Sequence, residues 1–393
     1  MIHRFAKFLV ACTVLLILAG SLVTSHDAGL SVPDWPTSYG WNMFTFPPSM
    51  WVANIFYEHG HRLIASTVGF LTIILAVWLW LADSRRWLRW FGVAALAAVI
   101  AQGVLGGITV LFFLPDAVST AHAGLAEIFF CMTVAIALFT SPQWLAGYGT
   151  AGAPPHDNSR VLTGAAHDDG ASVDDITLRR FATAVTALIY AQILVGATMR
   201  HTGAGLAIPD FPWMFGHVVP DHWNGKIAIH FAHRAGALLV TLATFTLAGY
   251  VWSHHRSRRE LIRPATLMLA LVATQVTLGA LTVLTGRDVW INSLHVVCGA
   301  LVLTTSLVLT LRSWRVRFAH EIPEPQNAQR SQSRQPSLFS ASSASSAVKR
   351  DQSFGRSCSV SRRISTTSRR SVSDSRAYFG LGSRPSRMSH MRP

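Results

Sequence analysis

The chain has 393 residues, of which 50% are hydrophobic and only 13% are charged. Soluble domains carry about 25% charged residues, so this deficit argues against a soluble globular protein and for one that lives in lipid. The formal net charge of +14 resides largely in arginine clusters separated by long uncharged runs. That pattern fits positive loops on one membrane face better than a nucleic-acid surface, and no nucleic-acid partner is expected.

The N-terminus, Met1 to Ser25, has the make-up of a signal peptide: Arg4 and Lys7, an apolar core, then small residues. We read it as a retained first helix, because the same pattern returns in mid-chain around Val195 to Gly205. About 20 mostly apolar residues cross a bilayer core. Eight segments meet that length, at 7–25, 60–82, 90–112, 120–140, 180–198, 228–251, 265–284 and 291–311. Backbone groups in lipid must pair within their own segment, so each is expected to be a helix.

The stretch 141–176 is rich in Gly, Ala, Pro and Asp and reads as a linker. The tail, 319–393, is dominated by Ser and Arg and cannot bury enough apolar surface to order itself. Positive charge alternates along the loops. Arg4 and Lys7, Arg85, Arg86 and Arg89, Arg179 and Arg180, the cluster Arg256 to Arg263, and Arg312 to Arg317 fall on one side, against Arg200, Lys226 and Arg287 on the other. The positive-inside rule then puts both termini in the cytoplasm of a bacterial cell, with the chain in its inner (plasma) membrane. Cys12, Cys131, Cys298 and Cys358 form no CxxC or close pair, so neither a disulfide framework nor a zinc site is expected.

The chain repeats itself. Ala28-Gly29-Leu30-Ser31-Val32-Pro33-Asp34-Trp35-Pro36 matches Ala204-Gly205-Leu206-Ala207-Ile208-Pro209-Asp210-Phe211-Pro212. His61-Arg62 matches His233-Arg234; Gln102, Gly106, Thr109 and Val110 match Gln275, Gly279, Thr282 and Val283; His122 matches His295. These marks keep one order and nearly one spacing, which predicts an all-α, polytopic membrane protein built as two tandem four-helix bundles, 1–140 and 177–318. An even helix count per unit makes the duplication parallel, with a pseudo-twofold axis along the membrane normal. Cofactor sites in such bundles lie between facing helices.

Ionisable groups inside spans are costly and tend to be functional. His61, His122, His233 and His295 each stand near the outer end of an even-numbered helix, and His230 and His59 lie close by. Two imidazoles on different helices of one bundle can take both axial positions of a haem iron, whereas no sulfur or third-histidine cluster completes a copper or zinc site. Arg62 and Arg234 follow two of these histidines, where they can pair with haem propionates or reach lipid headgroups. Glu58 stands three residues before His61, on the same side of the helix, and His230 takes that place before His233. A carboxyl beside a haem pocket can act as acid, base or cation stabiliser. His59 points away and is not expected to be a ligand.

Together, Glu58-His59-Gly60-His61-Arg62, the Gly-Leu-Ser-Val-Pro-Asp-Trp-Pro loop, Gly106-Gly107-Ile108-Thr109-Val110, Ala121-His122-Ala123, His233-Arg234 and Leu294-His295 resemble the haem A synthase family over about residues 5–315. The resemblance implies oxidation of the C8 methyl group of haem O to a formyl group, giving haem A for terminal oxidases. It implies that His61 and His122 ligate haem O in the N-terminal half, that Glu58 assists the chemistry, and that His233 and His295 ligate haem b in the C-terminal half. It further implies an upstream synthase that supplies haem O, a membrane electron acceptor and a role in terminal oxidase assembly; a homo-oligomer stays open. Many members of the family carry a cysteine pair in the first external loop, but residues 26–57 here contain none, so this chain resembles the cysteine-free type. Two other readings use the same histidines: a dihaem b-type electron-transfer protein, which has no use for Glu58, and a haem transporter or chaperone.

Overall fold

The computed structural model describes residues 1–149 and 175–315. Among them are nine α-helices: α1 (Ile2–Ser25), α2 (Asn54–Ala82), α3 (Arg86–Leu111), α4 (Asp116–Phe139), α5 (Pro142–Gly149), α6 (Ile176–His201), α7 (Gly225–His254), α8 (Arg259–Leu284) and α9 (Val289–Ser313). No β-strand occurs among the described residues. All but α5 are long and apolar enough to cross a membrane, so the chain is a multi-pass, all-helical membrane protein.

Most helices run past the apolar windows that predict them. Hydropathy registers only the part in hydrocarbon, while polar caps carry the helix on into the interface. Asp175, Asn224 and Asp288 each accept a backbone N–H of the first turn of α6, α7 and α9, satisfying donors that no earlier carbonyl can reach. The early start of α2 matters most, because it places Glu58 and His59 inside the helix rather than in the loop before it.

Helices α1 to α4 pack in a ring, each against the next and α4 back against α1; α6 to α9 repeat that arrangement. Each ring has its own apolar core, one centred on Leu9, Leu75, Leu79 and Ile136 and the other on Leu178, Leu247, Leu261 and Leu303. The rings meet where α4 faces α9, with α1 against α9 on one flank and α6 against α4 on the other. The seam is close at Gly124 of α4, where a Cβ would stand 2.7 Å from Leu194 and 3.2 Å from the Tyr190 hydroxyl. At its loop end the seam is polar: the Ser25 and Ser293 hydroxyls share a hydrogen bond of 3.0 Å, and Asn292 donates to Ser25 at 3.0 Å.

The segment expected as a linker opens instead with α5. Trp144 is 3% exposed and packs with Phe139, and the Ser141 hydroxyl caps the helix by accepting the Trp144 N–H. One aromatic side chain outweighs a loop-like composition here, because burying it against the helix ends gains more than the short helix costs. The rest of that segment, and the tail, lie outside the described residues.

The seam yields a test. Gly124→Val is expected to cost about 1–3 kcal/mol through overpacking, read as a lower thermal midpoint of the detergent-solubilised protein. Gly249→Ala, where nothing lies within 4 Å, serves as its control. Equal midpoints would show that α4 and α6 are not in close contact.

Candidate functional site

His61, His122, His233 and His295 lie near the N-terminal starts of α2, α4, α7 and α9, which all begin at the end of the rings that carries the long loops 26–53 and 202–224. Each imidazole leans on a glycine of the preceding helix. A Cβ on Gly20 would stand 3.0 Å from His61 Cε1, one on Gly106 3.2 Å from His122, one on Gly196 2.8 Å from His233, and one on Gly279 3.0 Å from His295. Hydrogen in place of a methyl group is what lets the ring approach that backbone. His61 and His122 belong to the first ring, and His233 and His295 to the second.

The Nδ1 atoms of His61, His122 and His295 are buried without a hydrogen-bond partner. Buried polar nitrogens are nearly always paired, so three orphaned imidazoles at the same end of the rings fit a group that completes them. No group of three or more metal-ligating side chains occurs among the described residues; two imidazoles per ring suit a planar iron macrocycle with two axial positions. His233 differs from the others. Gln192 of α6 approaches its Nδ1 at 3.0 Å and donates to its carbonyl at 2.7 Å, and Gly236 leaves space for that amide.

Arg62 and Arg234 hold the loops. Arg62 donates to the carbonyls of Asp34 (2.7 Å), Thr37 (3.0 Å) and Val32 (2.7 Å), and to Glu58 Oε1 at 2.7 Å. The other Glu58 oxygen accepts the Val32 N–H at 2.8 Å. In the second ring Arg234 donates to the Ile208, Asp210 and Trp213 carbonyls, and His230 lies with Nε2 3.1 Å from Arg234 Nε and Nδ1 3.2 Å from the Ile208 N–H, of which a neutral imidazole accepts one. Glu58 and His230 thus do one mechanical task, tying helix to loop, and differ in that only Glu58 is a carboxyl. This gives His230 a place that sequence could not assign.

The loops are built for that grip. Asp34 accepts from the N–H groups of Tyr39 (2.7 Å) and Gly40 (2.9 Å) and from the Thr37 hydroxyl, and Asp210 accepts from Phe215 and Gly216. Gly40 and Gly216 lie at φ +76° and +80°, where a side chain would be strained. Burial pushes the Asp34 carboxyl up, but the hydrogen bonds from Gly40, Thr37 and Tyr39 outweigh it and hold the group below its ordinary value. The loop then closes onto the helices: Trp35 lies flat on Gly107, where a Cβ would stand 2.5 Å from the indole. His59, fully buried, bonds the Ser38 hydroxyl at 3.1 Å between Phe46 and Trp51 and so anchors the loop, while its Nε2 is buried without a partner.

Sequence reasoning passed over three groups. Gln192 and Arg200 sit at positions where the first half has Leu16 and Thr24, so a search for matching residues misses them. Glu127, in mid-α4, is 5% exposed with Oε2 unpaired; an acid inside an apolar run was its signal.

Residues 3–307 match the family described as cytochrome oxidase assembly protein, COX15-CtaA. The chain is also similar to proteins named heme A synthase. That of Halalkalibacterium halodurans is 29% identical over 317 residues, covering 77% of this chain and 95% of the relative. That of Symbiobacterium thermophilum is 30% identical over 275 residues, covering 69% and 82%.

Two outcomes test this geometry. Gly196→Ala is expected to push the His233 ring out of line and cost about 1–3 kcal/mol of stability, whereas Gly60→Ala, with nothing within 4 Å, should not; equal thermal melts would contradict the contact. Because the Asp34 carboxyl is held below its ordinary 3.8, its hold on the loop is complete above that value and is lost as pH falls through the depressed one. Limited proteolysis of the loop 26–53 should therefore accelerate only in strongly acid medium, and Asp34→Asn should remove that step. Acceleration already at neutral pH would refute the assignment.

Proposed function

We propose that this chain, which belongs to the cytochrome oxidase assembly protein family, is a haem A synthase that oxidises the C8 methyl group of haem O to a formyl group. The reading is supported by four imidazoles, each backed by a glycine of the preceding helix and three with an orphaned buried nitrogen, in a chain similar to named heme A synthases. His61 and His122 hold haem O as substrate, and His233 and His295 hold haem b. The two rings are the products of a tandem duplication, 1–140 and 177–318, turned to different ends.

When bound, haem b supplies one-electron transfer. The protein supplies position and a place for protons. With water as oxygen donor, converting methyl to formyl takes up one water and releases four electrons and four protons, and Glu58 is the carboxyl nearest in sequence to His61. Both its oxygens are engaged, one by Arg62 and one by the Val32 N–H, so any proton it takes is coupled to the loop: protonating Oε1 weakens the ion pair that holds Arg62. Arg62 and Arg234 act on the haems through the loops they fasten, with Trp35 and Phe211 carried on those loops as lids that exclude water. Haem O arrives from an upstream synthase, electrons leave to a membrane acceptor, and haem A passes on to terminal oxidase assembly. Arginine clustering favours the bacterial inner membrane with both termini cytoplasmic.

Pigment extracted from the purified full chain is expected to contain haem b together with haem O or haem A; haem b alone would leave an electron-transfer cytochrome. Glu58→Gln keeps an oxygen to accept the Val32 N–H but cannot take a proton. It should therefore lose about 10²–10⁴-fold in turnover with haem b retained, while loss of the Arg62 ion pair leaves the loop 26–53 more open to protease. Full activity in Glu58→Gln would assign Glu58 to scaffolding alone.

A further inference from the structure

We propose that Arg200 is the anchor for a carboxylate borne by the porphyrin seated at His233 and His295; this rests on the haem reading above. Arg200 closes α6 at the loop end of the rings. Its Nη2 donates to the Ser21 carbonyl and to the Ser25 hydroxyl, both at 3.0 Å, on α1. Its Nε is buried with no partner. Among the described residues no carboxylate forms an ion pair with it. Asp27, the acid whose field reaches it, is 86% exposed and stands 3.9 Å from Arg287 instead.

A guanidinium enclosed between helices without an anion is an expensive arrangement, and such a cation persists where something pairs with it. Its partner Ser25 also bonds Ser293 and Asn292 of α9, within one turn of His295, so the pairing group belongs to whatever His295 holds. A haem ligated near the loop end carries two propionates, and its only polar edge is the one that bears them. The fork of N–H donors on a guanidinium matches a carboxylate in shape as well as charge. Arg234, beside His233, is already spent on three loop carbonyls and His230. In the first half Thr24 occupies the place of Arg200, so the anchor belongs to the second site alone.

The test alters both partners. The full chain carrying His61→Ala and His122→Ala, in detergent and freed of pigment, is titrated with haem and with haem dimethyl ester, which lacks the acid groups. The chain with Arg200 intact should bind haem at least about thirtyfold more tightly than its ester. Arg200→Leu should bind haem as weakly as the intact chain binds the ester, and should no longer distinguish the two. Equal affinity of the intact chain for acid and ester would overturn the proposal, and this arm involves no change at Arg200 that might harm folding. An unchanged acid-to-ester ratio in Arg200→Leu would overturn it too. The haem reading fails separately: if His233→Ala or His295→Ala leaves the bis-imidazole absorption spectrum of bound haem unaltered, the site itself is wrongly placed.

Discussion

An imidazole resting against the glycine of a neighbouring helix is the contact on which both candidate sites depend. In water a histidine ring at a helix surface samples several rotamers and loses that freedom on binding a metal. Packed by Cε1 against Gly20, Gly106, Gly196 or Gly279, the ring has lost it before any ligand arrives, so more of the binding energy is retained. The same contact fixes the spacing of α1 with α2, α3 with α4, and their counterparts α6 with α7 and α8 with α9. Helix packing and ligand geometry are therefore one problem: a change that separates the helices also moves the imidazoles.

The loops extend this economy to the polar end. In hydrocarbon a guanidinium needs several acceptors, and a loop that folds back over a bundle needs donors for its carbonyls. Arg62 and Arg234 solve both at once, each binding three loop carbonyls besides the side chain one turn before it on its own helix. Because Glu58 is the fourth partner in the first ring, chemistry at that carboxyl is linked mechanically to closure of the loop. His230 gives the same closure without an acid.

The eight spans, the repeat and the four histidines were legible because each leaves a signature along the chain: apolar length, recurrence, and charge where charge is costly. The helix starts were less so, since hydropathy does not register caps such as Asn224 and Asp288. α5 was hidden because Trp144 stabilises it through burial, which composition does not report. The partners of Arg62 were beyond reach for a related reason. Lone arginines near an interface invite headgroups or propionates, and only the fold shows that the Val32 to Thr37 carbonyls arrive first.

The two rings share a scaffold and differ at a few points, and the differences run in one direction. Where the first has Leu16, the second has Gln192 on the His233 ring; where the first has Thr24, the second has an enclosed Arg200; where the first has Glu58, the second has His230. In the second ring Gln192 fixes His233, Arg200 adds bonds to α1, and His230 keeps the helix-to-loop tie that Glu58 makes in the first. The first ring has Leu16 and Thr24 at two of these places, the Thr24 hydroxyl turned back on the Gly20 carbonyl, and the carboxyl of Glu58 at the third. A porphyrin that must enter, react and leave is served by fewer fixed bonds and one reactive group, whereas one that relays electrons is served by being held. The two rings thus share one scaffold of glycine-backed imidazoles, and these few side chains are where they part.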